Sequence, residues 1–329
     1  MIFFTPNNTF LIVGFLLTIT LYSNPAANGA FEVRIPTYDQ EGRINWELQA
    51  KEVDTIDDGV YSAKKPKMFI LENSKPATIA TSDSGTFNIG KGSANGSDYM
   101  VVEGEGFEAI GRPWTFEENN EDARNRLAFS EHGKIGFEEE VDSGFGTGVV
   151  KNPSHSSIDT DAGTSEFSYK EPEFSKEYPT TAFGNKIFLD DLGDGKRRFI
   201  LIEDVYIKMM DLDSNSSMHQ FSTITCDWAE IFLGKENNST FESFGKITQI
   251  HALGNVKLNE PLRKSSADEL RWSQQSAQVD LFGNAKVFHQ EWGEAKGEKI
   301  IILEEDGRAE VIGGNQGRSR VLLPPLNKN

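Results

Sequence analysis

The chain has 329 residues, long enough to bury a substantial core, with 33 Lys and Arg against 51 Asp and Glu and a formal net charge of −18. A deficit of that size repels phosphate backbones and excludes nucleic-acid binding through a general basic surface. The lone Cys226 excludes an intramolecular disulfide, and an 11% aromatic content with 23 Phe excludes a wholly disordered chain.

Phe10 to Leu21 form an uncharged apolar run of twelve residues. A membrane-spanning helix needs about twenty, whereas twelve suits the apolar core of a signal peptide. Ala27 and Gly29 supply small residues at the −3 and −1 positions of a cleavage before Ala30. The expectation is export, with residues 1–29 as the signal peptide. No Lys or Arg precedes the run, so an uncleaved anchor is the rival reading, and a buried N-terminal strand or helix is a third. No cysteine follows closely, which excludes a lipoprotein signal.

Residues 30–137 read as a string of short strands. In Arg43 to Ala50 apolar side chains fall at every second position, so Ile44, Trp46, Leu48 and Ala50 share one face of a strand. Shorter runs follow at 67–71, 86–89 and 99–102. Turn-forming clusters separate them: Asp57-Asp58-Gly59, Asn73-Ser74-Lys75-Pro76, Ser82-Asp83-Ser84-Gly85 and Ala94-Asn95-Gly96-Ser97. Residues 138–180 hold ten acidic and three basic residues, and 18 of the 43 are Ser, Thr, Gly or Pro. That composition predicts a solvated acidic linker and a domain boundary.

The C-terminal half, 181–325, repeats itself. Leu253-Gly254-Asn255-Val256-Lys257-Leu258 recurs as Phe282-Gly283-Asn284-Ala285-Lys286-Val287, and Gly313-Gly314 follows at nearly the same interval. Upstream, Ala267 to Trp272 aligns with Gly297 to Ile302, and Thr225 to Glu230 is a looser earlier copy. A period near thirty residues, built from two strands and two turns, predicts stacked units sharing one core.

These landmarks resemble a known family. Ala267-Asp268-Glu269-Leu270-Arg271-Trp272, followed by Val279 to Val287, is similar to the OstA-like repeat of periplasmic lipopolysaccharide-transport proteins of the LptA type. Gly297 to Ile302 with Arg308 to Gly314, and the ending from Gly317 to Pro325, look like the next strands of the same pattern. Ile35-Pro36-Thr37-Tyr38-Asp39 through Ala50 resembles the opening of the LptC relatives. The motifs cover about residues 220–325, and 31–116 more weakly. The resemblance implies an all-β fold: an elongated antiparallel β-jellyroll open along one side, here as an LptC-like segment (30–137) and an LptA-like segment (181–325) joined by the acidic linker. It further implies a periplasmic, non-enzymatic protein without a cofactor. Its apolar interior would hold the acyl chains of lipid A, and it would meet other jellyroll proteins of the export bridge by edge-strand pairing.

Strand parity names the interior. Val279, Leu281, Ala285 and Val287 share a face, as do Leu270 with Trp272, Ile300 with Ile302, and Val256 with Leu258. The expected lipid-binding groove is therefore Val256, Leu258, Leu270, Trp272, Val279, Leu281, Val287, Ile300 and Ile302, with Arg271, Asp280 and Lys286 facing water. Parity alone does not separate such a groove from a closed core.

Signals of catalysis are poor. The five histidines are scattered, with no pair at metal-binding helical spacing. Cys226 reads as a buried structural thiol. Asp211-Leu212-Asp213-Ser214-Asn215 starts like a calcium loop, but Ser216 stands where Gly is required and Ser222 where the closing Glu belongs. Gly144 to Gly148 lacks the Lys of a phosphate-binding loop. Two other readings stay open: a secreted carbohydrate-active β-helix enzyme and an outer-membrane β-barrel.

Overall fold

A computed structural model describes residues 29–38, 42–72, 75–120, 123–138, 172–211, 220–234, 245–291, 293–303, 308–313 and 320–322. The leader, most of the acidic segment 138–180 and the centre of the calcium-like loop lie outside the described residues.

The chain is all-β. The first half supplies β1 (Gly29–Tyr38), β2 (Ile44–Asp57), β3 (Val60–Lys64), β4 (Lys67–Glu72), β5 (Lys75–Ser82) and β6 (Ser84–Asn88). After a single 3-10 turn at Ile89–Lys91 come β7 (Ser93–Gly96), β8 (Met100–Gly104), β9 (Phe107–Asn120) and β10 (Ala123–Phe137). The second half holds β11 (Thr180–Gly184), β12 (Lys186–Gly193), β13 (Lys196–Asp211), β14 (Gln220–Gly234) and β15 (Lys246–Asn259). It ends with β16 (Arg263–Ser273), β17 (Gln278–His289), β18 (Gly293–Leu303), β19 (Arg308–Ile312) and β20 (Arg320–Leu322). All belong to one 20-stranded sheet, and each pairing is antiparallel.

The long strands explain the architecture. Each is broken near its middle, and its two halves belong to different layers. In β2, residues 46–49 pair with β4 while 52–57 pair with β3. In β10, 125–129 pair with β12 while 133–137 pair with β11. Likewise β18 pairs through 299–303 with β19 and through 294–296 with β20. One layer thus runs through β3, β6, β7, β12 and β19, the other through β4, β5, β8, β11 and β20, and the long strands cross between them. The two layers face each other as an elongated jellyroll. The ladder passes from β9 and β10 directly to β11 and β12, so the strands on either side of the acidic segment are neighbours in the same sheet.

A line of residues with positive φ marks the corner where strands change layer: Glu32 (52°), Lys65 (50°), His132 (49°), Glu203 (64°), Gly254 (76°) with Asn255 (48°), and Gly283 (69°) with Asn284 (49°). The Gly-Asn landmarks of the repeat therefore lie within β15 and β17 and bend them, rather than closing hairpins. Each is matched by an aspartate on the preceding strand of the ladder: Asn255 Nδ2 donates to Asp227 Oδ2 at 2.8 Å, and Asn284 Nδ2 to Asp268 Oδ2 at 2.9 Å. Glycine is required because a Cβ at 254 or 283 would lie 2.4 or 2.5 Å from that same carboxylate oxygen. The loose third copy is real in this sense, since Asp227 in Thr225 to Glu230 occupies the place of Asp268.

Two turn expectations fail, that of Ser82-Asp83-Ser84-Gly85 in part, since Ser84 and Gly85 belong to strand β6. Ala94-Asn95-Gly96 lies in strand β7, not in a turn. Gly96 there, like Gly85 in β6, is a flat seat for the Trp114 indole, which a Cβ would meet at 2.5 Å and 2.8 Å respectively.

The outer face of the first layer carries charges of alternating sign across neighbouring strands. Arg126 and Arg198 flank Asp190 at 2.7 and 2.6 Å, His251 meets Glu269 at 2.9 Å, and Lys299 meets Asp280 at 3.1 Å. Cross-strand opposite charges favour this register. The segment just before β11 is pinned to the outside of the second layer. There the buried Glu108 carboxylate accepts from Ser175 N, Ser175 Oγ (2.6 Å) and Tyr178 OH (2.8 Å). Burial and the Glu108 carboxylate raise the Tyr178 pKa, keeping that hydroxyl a donor.

Candidate functional site: the space between the layers

Because side chains alternate across a strand, each layer turns one apolar row inward. These rows form one continuous cluster from Trp46 and Leu48 through Phe87, Trp114, Phe116, Phe199 and Ile250 to Ile300 and Ile302. Aromatic edges lock its middle: Phe107 and Phe137 meet Phe199 at centroid distances of 4.9 and 5.2 Å.

The structure brings the nine groove residues named from parity to this interior. Val256, Leu258, Leu270, Val279, Leu281, Val287, Ile300 and Ile302 are all buried, and Trp272 is 5% exposed. Their neighbours point outward, with the Arg271 side chain 61% exposed. The nine divide between the layers. Val256, Leu258 and Val287 lie in the second, on the β20 side of the corner, and the other six face them from the first. They meet closely: the space bounded by Met209, Ile224, Ile250, Leu258, Leu270, Trp272 and Val279 is about 10 Å³. Around these residues the interior is a filled core, and an acyl chain fits there only if the layers part.

The layers are covalently continuous at the corner but only touch along the opposite rim. Among the described residues, three sets of contacts stand along this seam. Asn45 Nδ2 and Trp46 Nε1 on β2 donate to the Glu118 carboxylate on β9 at 2.8 and 3.0 Å. The Gly195 N–H, in the β12–β13 turn, donates to Glu72 Oε1 on β4 at 2.8 Å, with Arg197 beside it. Gly106 packs against Gly245 so tightly that a Cβ on Gly106 would stand 2.6 Å from the Gly245 carbonyl oxygen. Next to the Glu72 contact the interior turns polar. Asn125, Asp191 and Arg197 line a cavity of about 20 Å³, and Asn125 Oδ1 is buried without a hydrogen-bond partner.

Sequence reasoning missed these seam residues, since partners 72 to 139 positions apart leave no local pattern. It also missed much of the N-terminal interior. Trp114 and Phe116 were legible only as period-two apolar positions after Pro113, a residue that argues against a central strand.

The chemistry of reaction is sparse here. Burial pushes the Cys226 thiol up to about 12, so it is not a thiolate at neutral pH. Among the described residues no group of three or more His, Cys, Asp or Glu is arranged to hold a metal ion, and no helix is long and apolar enough to cross a membrane. No protein-family model matches this chain, and comparison with curated proteins finds no match.

Proposed function

We propose that this protein is a non-enzymatic lipid-shielding bridge of lipopolysaccharide export, acting in the periplasm. The observation that carries this reading is an apolar interior running the length of a two-layered sheet whose layers are joined on one side only. The OstA-like pattern of 253–258, 267–272 and 279–287 supports it from the sequence. In this reading the seam parts, acyl chains enter between Leu258, Leu281, Val287 and Ile302, and each buried CH₂ contributes about 0.8 kcal/mol. Among the described residues β1 pairs only with β2, and β19 and β20 only with β18. The two ends of the ladder thus offer free edges on which a similar jellyroll would add strands.

The test is a photocrosslinking amino acid placed at 258, 281, 286 or 302 in exporting cells, with the captured molecule identified by mass spectrometry. Position 281 should trap a lipid bearing acyl chains and position 286 none. Absence of lipid at 258, 281 and 302 alike would overturn the proposal.

A further inference from the structure

A different surface breaks the charge pattern of the chain. In a protein with 51 acidic and 33 basic residues, an open groove of about 430 Å³ is lined by Arg34, Lys51, Lys65 and Lys67, with Glu32 its one acidic residue. The four cations are exposed. They come from the first strands of the ladder: Arg34 on β1, Lys51 on β2 at the corner, Lys65 between β3 and β4, and Lys67 at the start of β4. Arg34 is answered by Glu47 at 2.6 Å, and the Lys67 ammonium stands 5.1 Å from the Phe69 ring centroid. No described carboxylate pairs with Lys51, Lys65 or Lys67 in an ion pair.

Like charges gathered on adjacent strands repel and cost stability. Along the outer face of the first layer the chain avoids that cost by alternating signs, as in the row from Arg126 to Lys299, although Lys286 faces Lys296 on the second layer. Here it does not, and the uncompensated charge sits at the N-terminal tip of the ladder. A flat array of anions presented to that tip is the complementary partner. The apolar run at 10–21 precedes β1 by seven residues, a reach of at most about 25 Å. On the rival reading of the leader as an uncleaved anchor, a bilayer holding that run would lie within that reach of the start of β1.

We infer that the groove of Arg34, Lys51, Lys65 and Lys67 docks the N-terminal tip of this protein on an anionic membrane surface through the phosphates of lipid headgroups. The attraction is electrostatic, falls off within a Debye length, and is independent of whether the interior takes up acyl chains.

The experiment measures partitioning of the full chain onto vesicles of phosphatidylcholine alone or with 30% phosphatidylglycerol, at limiting lipid. The neutral vesicles report any insertion of the apolar run, and the difference between the two reports the groove. Each cation near an anionic surface contributes about five-fold, so Lys51→Gln, Lys65→Gln and Lys67→Gln together should lower the anionic preference about 100-fold. The wild-type preference should vanish in 1 M salt. A control with Lys257→Gln, Lys264→Gln and Lys286→Gln, at the far end of the ladder, should keep it. An anionic preference equal in both triple variants, with both melting as the wild type does, would overturn the inference. So would its abolition by inorganic phosphate at matched ionic strength, which would assign the groove to a soluble anion.

Discussion

The corner makes a quantitative demand on Gly283. Alanine there must adopt φ near +69°, which costs a residue with a Cβ about 1–2 kcal/mol. Its Cβ would also stand 2.5 Å from Asp268 Oδ2, so the carboxylate must move and release the Asn284 amide it now accepts from at 2.9 Å. Losing that hydrogen bond costs about 1 kcal/mol more. Gly283→Ala should therefore destabilise by about 2–3 kcal/mol, and Asp268→Ala alone by about 1 kcal/mol. In the double variant the hydrogen bond is lost only once and the collision is gone, so the sum should exceed the measured value by about 1 kcal/mol. Gly42→Ala is the control: φ is +80° but a Cβ there meets nothing within 4 Å, so only the backbone cost of about 1–2 kcal/mol applies. Urea titrations monitored by tryptophan fluorescence give the four midpoints and slopes. Strict additivity of the two corner substitutions would refute the idea that the carboxylate fixes glycine at this position.

Other outcomes follow from the same geometry. Leu281→Asp buries a carboxylate in the filled interior and should destabilise by at least about 3 kcal/mol in the same titration, whereas Lys286→Asp on the outer face should change stability by less than about 0.5 kcal/mol. Burial raises the Glu269 pKa, but Arg271 and His251 outweigh it and hold the carboxyl below its ordinary value of 4.5. Its stabilisation is therefore complete above 4.5 and lost as pH falls through the lower folded value. Melting curves between pH 7 and pH 3 should show Glu269→Gln losing less stability on acidification than the wild type. Because Cys226 is buried with its thiol raised to about 12, iodoacetamide at pH 8 should label it only after denaturation. Rapid native alkylation would show that β14 opens there.

What the sequence disclosed depended on how far apart the interacting residues lie. The period of two in Ile44 to Ala50 and in Val279 to Val287 follows from the pleat, so the inward rows were readable strand by strand. Gly254 and Gly283 were readable as landmarks of a repeat, but their place at mid-strand was not. A Gly-Asn pair looks the same in a hairpin and in a strand that bends, and only the aspartate on the neighbouring strand distinguishes them. Gly85 and Gly96 misled for a related reason, since the Trp114 ring that explains them arrives from another strand. Whether the interior is filled was out of reach, because it depends on how Met209, Leu258 and Trp272 meet across two layers.

The distribution of contacts along the chain has a kinetic consequence. Each strand pairs mostly with strands close in sequence, so the ladder can assemble by successive short loop closures at small entropic cost. The rim contacts are of another kind. Glu118 reaches back 72 and 73 residues, and Gly195 is 123 residues from Glu72. Such contacts form only after the intervening strands are laid down, and few hydrogen bonds hold them once formed. Hydrogen exchange should therefore find the amide of Gly195 opening at much lower free energy than those of β13 and β14. On this geometry the seam should close last during folding and open first in the native state, so that local opening would expose the interior along that one line.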